Sequence, residues 1–158
     1  MDVLSQMHLG YFLAAFVVYF LAIGVASCYL VARLGGWSTL ARQYRTEQPL
    51  PAHKRRFQSG KMRASMSYNN ILTVASDVAG LYLDVPSIMR LGHPRLFVPW
   101  AVIEIDGPKR RFFRDVQTLN LGPERTPLCL RVTLVEFLLA GKGESQSPVD
   151  EQPNPTQV

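Results

Sequence analysis

The sequence predicts an α+β protein: one N-terminal apolar helix, then a small, mostly antiparallel β domain closed by a short C-terminal helix. Three observations lead there. No charged side chain occurs from Leu9 to Ala32, and several short β-rich segments fall between residues 57 and 132. Thr133 and Glu136 then stand at capping-box spacing ahead of Phe137-Leu138-Leu139-Ala140.

The apolar run comes first. Tyr11 to Val31 is dominated by Leu, Val, Ala, Phe and Tyr. About 20 such residues, each rising ~1.5 Å, span a ~30 Å hydrocarbon layer. A chain of 158 residues offers too little domain to surround so long an all-round apolar helix, which argues against a buried soluble helix. Val25-Ala26-Ser27-Cys28 resembles a bacterial lipoprotein processing site, but the leader carries Asp2 and neither Lys nor Arg. The apolar run also continues through Tyr29-Leu30-Val31-Ala32, so an uncleaved single-pass anchor over residues 1–33 is the expectation. Arg33, Arg42, Arg45, Lys54, Arg55, Arg56, Lys61 and Arg63 follow it against Glu47 alone. Basic flanks stay on the cytoplasmic side, which predicts the N-terminus outside and the domain in the cytosol at the inner membrane. Cys28 and Cys129 supply neither a disulfide framework nor metal-ligand spacing, and read as reduced small hydrophobes.

Gly35-Gly36 breaks the helix, and Trp37, Leu40, Ala41 and Tyr44 then recur at i, i+3, i+4, i+7 with Ser38 as a cap. Such an amphipathic helix lies along the membrane surface, with Trp37 and Tyr44 in the headgroup zone, or packs on the domain. Pro49-Leu50-Pro51 ends it and opens a linker. His53-Lys54-Arg55-Arg56 is a basic cluster near the bilayer, so Lys54, Arg55 and Arg56 join Trp37 and Tyr44 as expected membrane contacts; the same cluster also serves simply to set topology. Residues 34–56 are thus a juxtamembrane helix and basic linker.

The β domain is expected over residues 57–141. Asn69-Asn70 reads as a turn before Ile71-Leu72-Thr73-Val74-Ala75, and Gly80 separates that strand from Leu81-Tyr82-Leu83-Asp84-Val85. Pro99 makes the segment Leu96 to Ile105 an edge strand or two pieces, because proline cannot donate to the ladder. Arg111 to Arg114 and Val116 to Leu121 follow Gly107-Pro108, and Leu128, Leu130 and Val132 share one strand face. Gly141 reads as the stop of the closing helix. Residues 142–158, rich in Pro, Gln, Ser and Glu, read as a disordered tail.

Gly80-Leu81-Tyr82-Leu83 followed by Leu96 to Ile103, with the short strands and closing helix, resembles the pleckstrin-homology/GRAM-like superfold. With Gly36-Trp37, Leu40-Ala41, Tyr44, Gly92-His93-Pro94 and Val98-Pro99-Trp100, residues 36–105 resemble small bacterial single-pass membrane proteins carrying such a domain. The resemblance implies structural motifs and no catalytic ones.

His8, His53 and His93 lack ligand spacing, and no P-loop, dinucleotide fingerprint or nucleophile elbow is present, so neither metal nor cofactor is expected. Asp77, Asp84, Glu104 and Asp106 read as strand-end and turn residues rather than an acid/base pair. Arg90, His93 and Arg95 form the most unusual polar island, either an anion-binding loop or a tight turn set by Gly92 and Pro94. Lys109 to Arg114 interleaves basic and aromatic residues; a solvated strand face explains it more simply than nucleic acid. The expected function is a non-enzymatic, membrane-anchored interaction or assembly module whose β domain binds a protein partner, or the inner leaflet, close to the membrane. The alternative is an accessory subunit of a membrane complex, bound through its aromatic-rich helix.

Overall fold

The computed structural model describes residues 3–63, 66–111 and 114–143, with the side chains of residues 3–9, 111 and 114 left aside. Helix α1 (Val3–Leu34) is one helix long and apolar enough to cross a membrane, and residues 10–27 of it are exposed. Phe12, Phe16, Tyr19 and Phe20 are each 65–75% exposed. Such a surface is stable only against lipid or another apolar partner. Gly35 and Gly36 turn the chain, Gly36 at φ +82°, and α2 (Trp37–Tyr44) begins at once. Trp37 therefore opens the helix, one residue before the expected cap at Ser38.

The apolar stripe of α2 faces the domain. Trp37 and Leu40 are buried, Ala41 and Tyr44 pack against the same core, and the Trp37 Nε1–H donates to the Pro94 carbonyl at 2.8 Å. Of the two placements its spacing allowed, packing on the domain is the one adopted.

Among the described residues, eight strands form one antiparallel sheet: β1 (Lys54–Lys61), β2 (Ser67–Ser76), β3 (Gly80–Asp84), β4 (Leu96–Pro99), β5 (Ile103–Ile105), β6 (Lys109–Arg111), β7 (Arg114–Leu121) and β8 (Thr126–Arg131). The order is β4-β3-β2-β1-β8-β7-β5, with β6 also on β7; Lys61 opposite Cys129 joins the two halves. Pro99 does both things expected of it. It ends edge strand β4, and a 3-10 turn at Trp100–Val102 separates β4 from β5. Arg45 bridges Leu96 and the Thr46 N–H donates to the Arg95 carbonyl, so the chain leaving α2 covers that edge.

Period-2 alternation builds the core. Leu72 and Val74, Leu81 and Leu83, Leu96 and Val98, Leu119 and Leu121, and Leu128 and Leu130 are i, i+2 pairs, all buried together. Helix α3 (Val132–Gly143) closes it with Leu134 and Leu138, and Gly141 continues the same face. The helix starts before Thr133, which puts that residue in the first turn rather than at the cap. It also runs through Gly141. A Cβ there would lie 2.4 Å from Ser76 Oγ and 2.6 Å from His53 Cδ2, so this glycine serves close helix–strand approach, not termination.

Two further expectations change. The basic linker is strand β1, which begins at Lys54 inside the stretch read as linker. Asn69-Asn70 is no turn: it lies within β2, where Asn70 takes φ +54° and exchanges hydrogen bonds with Ser59 Oγ at 2.9 and 3.0 Å. The expected tail falls outside the described residues from residue 144 on, as do Phe112 and Phe113 of the basic–aromatic segment.

Candidate functional site

Strand β1 carries Lys54, Arg55 and Arg56 in succession, and alternation sends them to opposite faces. Arg55 lies over the Phe137 ring of α3, 4.3 Å from its centroid, a cation–π contact beside the His53–Phe137 stack. Lys54 and Arg56 turn the other way, into a cleft of about 550 Å³. Next along the strand, Phe57 adopts φ +56°, and the register against β2 slips by one residue between Arg55 and Gln58. That bulge sets Phe57 on the same side as Arg56, 68% exposed, at the cleft's rim.

The rest of the cleft comes from Pro49 and Leu50, from Ile71 and Thr73 of β2, and from the β3–β4 connection. Here Asp84, 3% exposed, organises two cations. Arg90 donates from Nε to Oδ1 at 3.1 Å and from Nη2 to Oδ2 at 2.7 Å. Arg95 donates from Nε and Nη2 to Oδ2 at 3.1 and 3.0 Å, and its Nη1 donates to the Gln48 carbonyl. The Val85 N–H completes the carboxylate's shell at 2.9 Å. Four cations thus line the cleft against one carboxylate. Among the described residues neither Lys54 nor Arg56 has a carboxylate partner. The cleft keeps a positive excess over an apolar floor, which suits an anionic group attached to an apolar body.

The expected site residues are therefore sorted differently from their grouping in the sequence. Lys54 and Arg56, expected at lipid, and Arg90 and Arg95, expected around an anion, share one cleft. His93 leaves that group. It is fully buried, edge-on to Trp37 at 5.2 Å between centroids, and its Nε2 lies 3.1 Å from the Tyr68 hydroxyl. Burial pulls its pKa down, with the Met89 carbonyl opposing in part, and Nδ1 makes no hydrogen bond of full geometry. Burial also pushes the Tyr68 phenol up to about 12, so the hydroxyl beside Nε2 stays protonated. His93 thus presents no imidazole to an anion. Trp37, expected in the headgroup zone, is instead wholly buried, while Tyr44 is partly buried and packs against the core and against Gly122.

The remaining acids hold structure. Asp77 Oδ1 accepts the Ala79 and Gly80 N–H groups at 2.9 Å and Oδ2 accepts the Tyr82 hydroxyl at 3.0 Å, closing the β2–β3 turn. Glu104 pairs with Arg125, and Asp106 accepts from the Asn120 amide. Among the described residues no three His, Cys, Asp or Glu side chains converge as ligands. Phe57, Ile71 and Pro86 of the cleft carry no motif. Asp84 alone had a legible hint, as an acid ending an apolar strand six residues before Arg90.

Set against known proteins, the chain matches no protein family, no curated protein and no solved structure.

Proposed function

We propose that the chain is a single-pass inner-membrane protein whose cytosolic β domain is a non-enzymatic interaction module working at the membrane surface. The series of antiparallel strands closed by α3 supports the pleckstrin-homology/GRAM-like reading of that domain. The observation that carries the proposal is the join between helix and domain. Ala32 is fully buried in the domain core and Val31 packs against it, so the domain sits on the helix end without a tether. The basic cleft is then held close to the bilayer, where it receives an acidic segment of a protein partner.

Photo-crosslinking in the full-length chain tests this. A photoreactive side chain replacing Phe57 is expected to yield a discrete protein adduct, abolished by adding Lys54→Glu and Arg56→Glu. Adducts obtained only from Phe16, at mid-helix, would favour the accessory-subunit reading instead. Protease treatment of intact spheroplasts checks the orientation; digestion of the domain from outside would reverse it.

A further inference from the structure

Beyond the join at Val31 and Ala32, the β3–β4 connection also touches α1. A Cβ on Gly92 would lie 2.9 Å from the Cys28 carbonyl oxygen and 3.2 Å from the Tyr29 nitrogen, so the loop rests directly on the helix backbone. Cys28 lies six residues before the helix end at Leu34, about 9 Å up the axis. The 25-residue apolar span is ~37 Å long, some 7 Å more than the hydrocarbon layer. Seated with Gly10 at the far boundary, the near boundary falls about 20 residues along, at Tyr29. The contact with Gly92 is thus level with the edge of the hydrocarbon.

The loop is built for that depth. Residues 86–92 include Ile88 at 82% exposure and Leu91 at 59%, with Met89 between them packed on the core. Two large aliphatics this open, four residues and one residue before the Gly92 contact, are costly against water and favourable against lipid. The one charge in the loop, Arg90, is folded back onto Asp84 through two hydrogen bonds, so the loop approaches the bilayer without an unpaired ion.

We propose that residues 86–92 form a second membrane contact, with Ile88 and Leu91 seated in the interfacial layer beside α1. The inference rests on reading α1 as the membrane span. It fixes the domain's attitude about two points rather than one, and sets the mouth of the basic cleft, which Pro86, Ser87 and Arg90 line, at headgroup level.

The test uses the full-length chain, with Cys28 and Cys129 replaced by alanine, in vesicles of zwitterionic and anionic phospholipid. An environment-sensitive fluorophore is attached to single cysteines at Ile88, Leu91, Val78 and Leu21. Val78, 50% exposed, marks the β2–β3 turn at the opposite end of β3, and Leu21 marks the middle of α1. Blue-shifted emission quenched by spin-labelled acyl chains is expected at residues 88, 91 and 21 and not at 78. Quenching at 21 with none at 88 or 91 would overturn the second contact while keeping the anchor. No quenching at 21 would overturn the anchor and this inference with it. Equal quenching at 78 and 88 would show general adsorption of the domain and overturn the loop's role. Ile88 and Leu91 are exposed, so labelling leaves the fold intact; as a second measurement, Ile88→Asp with Leu91→Asp should leave unfolding unchanged yet raise protease access to the loop in vesicles.

Discussion

Replacing Asp84 by Asn removes one negative charge and almost no volume from a position that is 3% exposed. The Val85 N–H keeps an acceptor, so the turn after β3 survives, but the two guanidinium groups lose their counter-ion. Their fates differ. Arg90 has 44% of its side chain exposed and resolvates, whereas Arg95, 18% exposed, is held by the Gln48 carbonyl and stays partly buried. Breaking a fully buried pair costs about 3–5 kcal/mol. With one arginine largely relieved by solvent, the expected loss is about 2–3 kcal/mol, which lowers Tm by roughly 10–20 °C for a domain near 100 residues. Thermal unfolding of the full chain in mild detergent measures it. The domain supplies both tryptophans, Trp37 and Trp100, so their fluorescence follows the domain and not α1. A double-mutant cycle sharpens the test. With Arg90→Met and Arg95→Met already present, Asp84 is a stranded buried carboxylate, and Asp84→Asn should then stabilise. A single-mutant loss under about 0.5 kcal/mol, the range of ordinary surface changes, would refute the organising role. So would an equal loss in the methionine background.

Gly141→Ala should destabilise by about 1–3 kcal/mol in chemical unfolding, against the gain usual for alanine in a helix, because its Cβ meets Ser76 and His53. The His93 pKa is depressed by burial, so its contribution to stability is present above the ordinary imidazole value of 6.5 and is lost as pH falls below it. Stability measured between pH 7.5 and about 5 should therefore decline, and His93→Asn should flatten that part of the decline while lowering stability throughout. Trp37→Ala should cost about 3–5 kcal/mol, since the indole is wholly buried. Lys54→Glu with Arg56→Glu lies on the exposed cleft wall and should leave Tm within a few degrees while abolishing the Phe57 adduct.

The elements legible in the sequence are those whose burial is periodic. α1 announces itself by the absence of charge, α2 by Trp37, Leu40, Ala41 and Tyr44, and β8 by Leu128 and Leu130. Strand β1 was hidden because its one apolar residue, Phe57, points outward at a bulge, while the buried position in it is Gly60. Composition reads such a strand as linker. The cleft was hidden for a different reason. Lys54 and Arg56 are recognisable as cations, and so are Arg90 and Arg95, but only the sheet brings the pairs together. His93 shows the reverse case: a polar residue in a Gly-Pro loop whose burial depends on Trp37 and Tyr68, 56 and 25 residues away in the chain.

Gly35-Gly36, which breaks the helix, has little freedom to act as a hinge. The space above Gly35 is filled by the Tyr68 hydroxyl and the Val31 carbonyl, and that above Gly36 by Thr126 and Arg63. Rotation at the pair would have to push these neighbours aside. A helix longer than the bilayer is thick leans to fit, and leans further as the bilayer thins. With the joint blocked, any lean of α1 becomes a lean of the whole sheet, magnified with distance from the join. On the proposed reading of α1 as a membrane span, membrane thickness would then act as a lever on how high the basic cleft stands above the headgroups.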